Sequence, residues 1–332
     1  MAADMKAVVI RDPGGPEVLR IETRPVPVAE KGQVLIAVRA FGLNRSELFT
    51  RRGQSPDVRF PRILGIEAVG TVASAPGGEF TEGETVATLM GGMGRDFDGS
   101  YAQYTLVPAA QVRAIKTELP WETLGALPEM LQTAWGSLFR ALRLEGGDRL
   151  LVRGGTTSVG SAAIAIAKAH GAEVAATSRR PESEQDLRNA GADHFVLDGG
   201  EIAGDIREHW PDGADKVLEL VGTTTLLDSL RCAGEPGTVC MTGMVGNQWT
   251  LDSFSPMDAI PTGVRLTTYA GDVADFMGMP FQDLVDQVAA GTLPVKVGQM
   301  FAMDEIVEAH RTMEENRGGG KIVVLTQARS AD

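Results

Sequence analysis

A glycine-rich turn between a buried strand and a helix is the stretch of this sequence best suited to hold a charged ligand. The apolar run Leu150–Val152 predicts a buried strand, and a helix without proline follows over residues 158–170. Gly155, Thr157 and Gly160 stand at the spacing of the G-x-G-x-x-G pattern, with threonine at the middle glycine position. Backbone N–H groups at the start of such a helix bind a pyrophosphate, so the pattern favours a dinucleotide site; a tight connection alone is the other interpretation. The residues predicted to hold the dinucleotide here are Gly155, Thr156, Thr157, Ser158, Val159 and Gly160.

Two arginines after the next strand bear on which dinucleotide is bound. The predicted strand Glu173–Thr177 is followed by Ser178, Arg179 and Arg180, where enzymes that use NAD carry an acidic residue for the ribose 2′-hydroxyl. Guanidinium groups bind a 2′-phosphate, whereas a carboxylate would repel it, so these residues favour NADPH as the cofactor. A solvated turn before Pro181 is the alternative interpretation, because pairs of basic residues are common on protein surfaces.

The hydrophobic pattern changes along the chain and indicates its architecture. Residues 1–125 contain short strand-like runs separated by Gly and Pro turns, which is typical of a small barrel or a partly open one. Beyond about residue 150 strands alternate with helices, which predicts an α/β fold with a doubly wound parallel sheet. The predicted strands are 7–10, 34–38, 68–72, 85–89, 101–107, 150–152, 173–177, 194–197, 216–220, 238–242, 264–269 and 321–325. The predicted helices are 124–142, 158–170, 183–190, 201–209, 223–232, 281–290 and 304–316.

Composition excludes several classes of function. The 332 residues carry a formal net charge of -13, which argues against nucleic acid or an anionic membrane as partner, since both attract basic surfaces. No apolar run is long enough to span a membrane and the N-terminus is not typical of a signal peptide, so we expect a cytoplasmic protein. Cys232 and Cys240 are too few for a disulfide framework or a four-thiolate zinc site.

Short motifs spread along most of the chain carry a family resemblance. In chain order they are Gly42-Leu43-Asn44, 63–70, 83–86, 99–104, 132–135, Ser158-Val159-Gly160, Gly191-Ala192-Asp193, 219–222 and 319–323. In the order and spacing of these motifs the chain resembles the medium-chain dehydrogenase/reductase superfamily, and within it the zinc-free, zeta-crystallin-like quinone oxidoreductase branch. The resemblance implies a Rossmann domain inserted in a GroES-like β-barrel catalytic domain, an active site in the cleft between them, and a homodimer. The implied boundaries are 1–125 for the first part of the catalytic domain, 126–265 for the Rossmann domain and 266–332 for the return to the catalytic domain.

The zinc ligands of alcohol dehydrogenases in this superfamily are replaced in this chain. Asn44 stands where the first cysteine ligand would be, and Ile66 replaces the histidine of the G-H-E motif, so that only Glu67 remains. A catalytic zinc needs three protein ligands. We therefore expect no metal and interpret Glu67 as a structural hydrogen-bonding residue. The histidines interpreted as surface residues are His170, His194, His209 and His310.

The resemblance also implies which residues lie near the nicotinamide. Those residues are Asn44, Thr133, Val221, Gly222, Gly243, Met244, Val245, Thr268, Tyr269 and Lys321. Thr133 has an alternative interpretation as a helix-interior hydroxyl bonded to its own backbone, and Met244 and Val245 as plain packing. The chain departs from the pattern of its relatives at three positions, which are Ser183 in place of a lysine, Asp198 in place of an aromatic residue and Phe49 in place of a tyrosine.

The chemistry expected from these residues is hydride transfer from NADPH. Without a metal to polarise a carbonyl, the expected small-molecule acceptors are already electron-poor, namely quinones or α,β-unsaturated carbonyl compounds. Asn44 could donate its amide to a developing oxyanion, or cap a helix over residues 46–51. Tyr269 is the candidate catalytic phenol, and Tyr101 is a second phenol in a core-like strand.

Two other functions stay open at this point. An enoyl-thioester reductase acting on acyl-CoA or acyl-carrier substrates would need a basic patch for their phosphates. The arginines available for that patch are Arg45, Arg51, Arg52, Arg59 and Arg62. The non-enzymatic alternative is a family member retained for NADPH binding or a structural role.

Overall fold

The computed structural model describes residues 3–327, which fold as two compact units. The first unit comprises the described residues 3–129, 272–289 and 296–327, and the second comprises Met130–Gly271 and Ala290–Val295. Over this described range, no helix is long and apolar enough to span a membrane.

The secondary-structure elements are labelled in chain order. The strands are β1 (Asp4–Ile10), β2 (Arg20–Pro25), β3 (Gln33–Gly42), β4 (Arg62–Ile63), β5 (Glu67–Ser74), β6 (Thr85–Leu89), β7 (Tyr104–Pro108), β8 (Val112–Ala114), β9 (Arg149–Arg153), β10 (Glu173–Ser178), β11 (His194–Leu197), β12 (Ala214–Glu219), β13 (Ala233–Met241), β14 (Arg265–Thr268), β15 (Val297–Ala302) and β16 (Lys321–Leu325). The α-helices are α1 (Arg45–Arg51), α2 (Trp121–Leu124), α3 (Leu127–Trp135), α4 (Ser158–Ala169), α5 (Glu184–Ala190), α6 (Ala203–His209), α7 (Thr223–Cys232), α8 (Pro256–Ala259), α9 (Val273–Gly278), α10 (Phe281–Ala289) and α11 (Ile306–Glu314). A π-helix follows α3 over Gly136–Ala141.

The long strand β3 organises the first unit. It belongs to a seven-stranded sheet, in which it pairs antiparallel with β5, β7 and β16. Six of these strands lie in the order β15-β16-β3-β5-β6-β8, and β7 pairs with β3 outside that order. Strands β2, β1 and β4 form a separate three-stranded sheet. Because side chains alternate between the faces of a strand, Val34, Ile36 and Val38 point to one face and are buried. Val34 and Ile36 pack with Val72, Val86 and neighbouring apolar residues in one core cluster.

The second unit contains the predicted doubly wound sheet. Six parallel strands lie in the order β11-β10-β9-β12-β13-β14, with the first strand in the chain at the centre. This order is that of dinucleotide-binding folds, whose ligands lie at the carboxyl ends of the strands. The expectation of a parallel α/β sheet is therefore confirmed. β14 lies at the edge of this sheet beside β13.

The single helix predicted over residues 124–142 is wrong, since three elements occupy that range. α2 ends at Leu124 and α3 begins at Leu127, with Pro128 in its first turn, where the missing N–H costs nothing. The helix then widens at Gly136 into the π-helix, which closes with the Leu142 N–H donating to Ser137 O at 2.9 Å. The Ser137 hydroxyl donates to Thr133 O at 2.7 Å and so competes for a carbonyl of the regular helix, which is a known cause of local distortion.

The surface interpretation of His310 is also wrong, because this side chain is fully buried. Its ring lies on the buried face of α11 with Ile306, Ala309 and Met313, and its Nε2 lies 3.0 Å from the hydroxyl of Tyr101. Tyr101 precedes β7 and stacks on Phe41, so the imidazole belongs to an aromatic part of the core. Burial lowers the pKa of His310 to about 3, since the protonated ring would lose its hydration there.

We predict that His310 makes the protein sensitive to acid. Below pH 6.5 the unfolded state takes up a proton on this histidine that the folded state does not, so its contribution to stability is complete above pH 6.5 and is lost as the pH falls toward 3. Compared with His310→Gln, the wild type should lose about 1.4 kcal/mol of unfolding free energy per pH unit between pH 6 and 4, measured by urea denaturation. His170→Gln, at an exposed histidine, serves as the control. Parallel pH profiles for wild type and His310→Gln would contradict the prediction.

Candidate functional site

The glycine turn of the second unit is closed by the side chain that stands in place of the middle glycine. Thr157 caps α4: its hydroxyl accepts the Gly160 N–H at 2.9 Å and donates to Gly154 O at 2.9 Å. The turn is tied to β10, because Thr177 accepts the N–H groups of Gly154 and Gly155 through its hydroxyl and its carbonyl. The departure from the glycine pattern therefore supplies a hydroxyl that holds the same turn.

Two glycines of the turn are required by close contact rather than by backbone angle. A Cβ on Gly160 would lie 2.5 Å from Gly154 O, and one on Gly155 would lie 2.9 Å from the Leu187 side chain. The helix thus begins directly against the turn, as in dinucleotide-binding units. The first N–H groups of a helix have no acceptors within the helix. Because the Gly160 N–H donates to the Thr157 hydroxyl, the N–H groups of Ser158 and Val159 are the donors suited to a bound anion.

The two arginines predicted to favour NADPH over NADH follow β10, the strand next to the turn. Both Arg179 and Arg180 are exposed, whereas Ser178 is buried and its hydroxyl accepts the Arg180 N–H at 3.1 Å. Ser178 therefore shapes the turn from which the two guanidinium groups project. An exposed pair of guanidinium groups at this strand end fits a phosphate arriving from solvent.

A buried ionic network at the same strand ends was missed by the sequence analysis. Arg153, the last residue of β9, is fully buried and forms two hydrogen bonds of 2.9 Å with Asp198 and one of 2.8 Å with Asp228. Burial would raise the pKa of Asp198, but the hydrogen bonds and charge of Arg153 outweigh it and hold that pKa below its ordinary value. Asp198 follows β11, which pairs with β10 through Leu197 and Ser178. The carboxylate nearest in register to the arginine pair is thus neutralised by Arg153.

On the other half of the parallel sheet, the buried acid Glu219 forms hydrogen bonds with residues predicted to lie near the nicotinamide. Glu219 accepts the backbone N–H groups of Val221 at 2.6 Å and Gly222 at 2.9 Å, so these two donors face the protein. A Cβ on Gly243 would lie 2.3 Å from Leu220 O, which explains glycine at that position. The segments 221–222 and 243–245 are therefore brought together at the carboxyl ends of β12 and β13. Glu219 carried no signal in the sequence beyond its place at a strand end.

In the first unit the structure brings together Asn44, Glu67 and Lys321 in a buried polar cluster. The Lys321 ammonium donates to Asn44 Oδ1 at 2.5 Å, to Glu67 at 2.9 Å and to Glu129 at 3.1 Å. Glu67 also accepts the Asn44 amide at 2.9 Å and the Glu129 N–H at 2.8 Å, which confirms its structural hydrogen-bonding role. All three protons of the ammonium have protein acceptors, and the cofactor contact expected of Lys321 stays a prediction.

Glu47 completes this cluster from α1. Its carboxylate accepts the backbone N–H of Asn44 at 2.9 Å, that of Ile66 at 3.1 Å, and the Asn44 amide at 3.3 Å. Burial raises the pKa of Glu47 to about 7. Both amide protons of Asn44 are therefore directed to carboxylates, so its oxyanion role stays a prediction that would require one of these bonds to be exchanged.

The residues at the positions of the superfamily's zinc ligands form hydrogen bonds in this cluster instead. The Asn44 oxygen faces the Lys321 ammonium, and the Ile66 side chain is buried. Within residues 3–327, no group of three or more His, Cys, Asp or Glu side chains is arranged to hold a metal ion.

The basic patch considered for phosphorylated acyl carriers is not formed as expected. Arg51 is fully buried and bonds to Glu314, which also lies 3.2 Å from Arg52. Arg62 bonds to Asp98 at 3.1 Å. Arg51 is thus a core residue, and its place in an exposed patch was wrong.

Comparisons with known proteins agree with this two-unit architecture. Residues 30–117 match the alcohol dehydrogenase GroES-like domain family, and residues 158–285 match the zinc-binding dehydrogenase family. The quinone oxidoreductase of Homo sapiens is 27% identical over 336 residues, covering 97% of this chain and 98% of that protein. Among solved structures, an NAD-dependent alcohol dehydrogenase superposes with a TM-score of 0.88 at 27% identity over 97% of this chain and 100% of that one. The structure of mycobacterial Rv1454c complexed with NADPH superposes with a TM-score of 0.84 at 25% identity, over 97% of this chain and 99% of that one.

We predict that Lys321 is required for the stability of the first unit. Lys321→Met should lower the unfolding free energy by about 3–5 kcal/mol, because it leaves buried carboxylates without their cation. The double variant Lys321→Met/Glu67→Gln should recover part of that loss. Lys6→Met, at an exposed pair with Asp304, should change it by less than about 1 kcal/mol. Urea denaturation measures all three, and a Lys321→Met protein as stable as Lys6→Met would contradict the prediction.

Proposed function

Since this chain belongs to the medium-chain dehydrogenase/reductase superfamily, in its quinone oxidoreductase branch, we propose that it is an NADPH-dependent reductase of quinones or α,β-unsaturated carbonyl compounds that works without zinc. Membership makes the chain an oxidoreductase with a nicotinamide cofactor. The choice of NADPH, the acceptor class and the independence from zinc are the proposed parts. The observation that carries the proposal is the exposed Arg179–Arg180 pair beside a neutralised Asp198.

The glycine turn fits the pyrophosphate of a dinucleotide. A methyl group on Gly160 would overlap Gly154 O, and one on Gly155 would press on the Leu187 side chain, so glycine at both positions lets the helix begin directly against the turn. The N-terminus of α4 offers N–H groups and the positive end of the helix dipole to the two phosphates. Thr157 holds this N-terminus in place through its two hydrogen bonds.

The preference for NADPH follows from charge at the end of β10. A 2′-phosphate carries up to two negative charges, and guanidinium groups bind it through charge-assisted hydrogen bonds. Arg179 and Arg180 supply such groups from an exposed turn, and Arg153 pairs with the nearby carboxylate of Asp198 that would repel the phosphate. NADH lacks this phosphate and would gain nothing from the arginine pair.

The acceptor class follows from the residues at the superfamily's zinc positions. Asn44 bonds to an ammonium group and Ile66 is an apolar core residue, so this pair of side chains does not form a zinc site. An acceptor reduced here would have to be electron-poor by itself, as a quinone or an enone is. The bound nicotinamide supplies the hydride, and the chain's share is to hold it in line and to exclude water.

We predict that the double variant Arg179→Ala/Arg180→Ala loses affinity for NADPH and not for NADH. Each charge-assisted hydrogen bond to the phosphate is worth about 1.5–3 kcal/mol, so NADPH binding should weaken at least tenfold in a fluorescence titration. Arg143→Ala serves as a matched control, because Arg143 is exposed in the same unit but lies before β9, away from the strand ends of the site. Equal losses for NADPH and NADH would contradict a phosphate-binding role.

We predict that the protein oxidises NADPH with quinones or enones and retains this activity after exhaustive dialysis against a chelator. The assay compares quinones, enones and enoyl thioesters under identical conditions. A clear preference for enoyl thioesters would favour the reductase of acyl carriers instead. Binding of NADPH without turnover on any acceptor would favour a binding or structural role, and activity restored only by added zinc would contradict the zinc-independent mechanism.

A further inference from the structure

The phenol of Tyr269 lies against the backbone at a position where only glycine leaves room. A Cβ built on Gly136 would lie 2.0 Å from Tyr269 Cζ, 2.1 Å from its Oη and 2.5 Å from its Cε2. Gly136 does not have a positive φ, so its backbone conformation is open to any residue. The reason for glycine at this position is therefore the ring that lies on it.

A second glycine, Gly271, lies beside the same hydroxyl. A Cβ on Gly271 would lie 2.8 Å from Tyr269 Oη and 3.0 Å from the Gln132 side chain. The hydroxyl oxygen is buried, while the residue as a whole is only half-buried. The hydroxyl end is thus directed into the protein between Gly136, Gly271 and Gln132, and the exposed part of the residue is not its hydroxyl.

The elements that hold this ring meet at the carboxyl edge of the parallel sheet. Tyr269 directly follows β14, and Thr242 directly follows β13, the strand paired with it through Met241 and Thr268. Ser137, beside Gly136, lies 2.9 Å from the Thr242 hydroxyl, so the start of the π-helix is fixed to the end of β13. π-Helical turns are found often at functional sites.

This edge belongs to the half of the sheet opposite the one that carries Arg179 and Arg180. In doubly wound sheets a dinucleotide lies across the strand ends, so with its adenosine side at β10 its nicotinamide half lies toward β12, β13 and β14. The ring of Tyr269 is therefore held at the nicotinamide side.

We propose that Gly136 is a positioning residue, because its missing side chain leaves the space that the Tyr269 ring occupies. The ring held there forms a wall of the nicotinamide site and fixes the orientation of the hydride donor. This inference rests on the proposed function. It also revises the role expected of Tyr269, because the buried hydroxyl faces the protein and the ring face meets the cofactor.

The test compares four variants, Gly136→Ala, Tyr269→Phe, Tyr269→Ala and Gly136→Ala/Tyr269→Ala. Gly136→Ala displaces the ring by more than 1 Å, so kcat with the best acceptor should fall about 10–100-fold. The dissociation constant for NADPH should change less than about threefold, since the phosphates are bound at the other end of the cofactor. Tyr269→Phe keeps the ring and should lower kcat by no more than about threefold, whereas Tyr269→Ala should lower it about as much as Gly136→Ala.

The double variant separates the contact from a general effect on the helix. Once the ring is gone, alanine at position 136 meets nothing, so the double variant should equal Tyr269→Ala in kcat within about twofold. The fluorescence of enzyme-bound NADPH gives a readout independent of turnover, and it should change alike in Gly136→Ala and Tyr269→Ala. Gly204→Ala is the matched control, because Gly204 lies in α6 with nothing within 4 Å of its built Cβ.

Three results would overturn the inference. They are wild-type kcat in Gly136→Ala, a further tenfold loss in the double variant beyond Tyr269→Ala, and a loss in Tyr269→Phe as large as in Tyr269→Ala, which would assign the chemistry to the hydroxyl. If Gly136→Ala does not fold, the two Tyr269 variants still decide between ring and hydroxyl. Failure of the wild type to oxidise NADPH with any acceptor would contradict the proposed function itself, which these variants do not test.

Discussion

The first turn of α4 lies against the glycine turn with no room for even a methyl group at Gly160, and the rest of the site in the second unit depends on this contact. The contact directs the helix N-terminus to the carboxyl edge of the sheet, where a pyrophosphate can reach the N–H groups. Thr157 maintains the same geometry in place of a glycine, by accepting one N–H and donating to one carbonyl. The turn is thus capped without loss of the close approach between helix and turn.

Charge is distributed between buried and exposed arginines in a way that serves this site. Arg153 is buried and bonds to two acids, which stabilises the strand ends and neutralises Asp198. Arg179 and Arg180 are exposed on the neighbouring strand end, in a protein whose net charge is -13. In the first unit, Lys321 has the corresponding structural role for Glu67 and Glu129. The buried cations Arg153 and Lys321 therefore organise acids, whereas Arg179 and Arg180 are exposed at a strand end.

The sequence predicted the elements whose signals are local and periodic. The strand ranges 194–197 and 321–325 agree residue for residue with β11 and β16, and the glycine turn lies where the pattern indicated. Strands β2, β4, β8 and β15 were missed, because they are short or largely exposed and lack an apolar run. The π-helix was missed because the apolar period continues across Gly136, and only the Ser137 hydroxyl marks the change.

The sequence indicated candidate residues that are adjacent in the chain, such as the glycine turn and the arginine pair, and missed clusters formed by residues that are distant in the chain. The partners of Arg153 lie 45 and 75 positions away, and those of Lys321 lie at 44, 67 and 129. His310 could have been assigned to the core, since it falls at helical spacing with Ile306 and Met313 on one apolar face. Contacts such as that between Gly136 and Tyr269 depend on tertiary packing and leave no pattern in the chain.

A crystal structure of the protein grown with saturating NADPH tests the central claim most directly. We expect the pyrophosphate at the N–H groups of Ser158 and Val159, and the 2′-phosphate about 3 Å from a guanidinium nitrogen of Arg179 or Arg180. NADPH bound with its 2′-phosphate away from both arginines, or no nucleotide at the glycine turn, would contradict it.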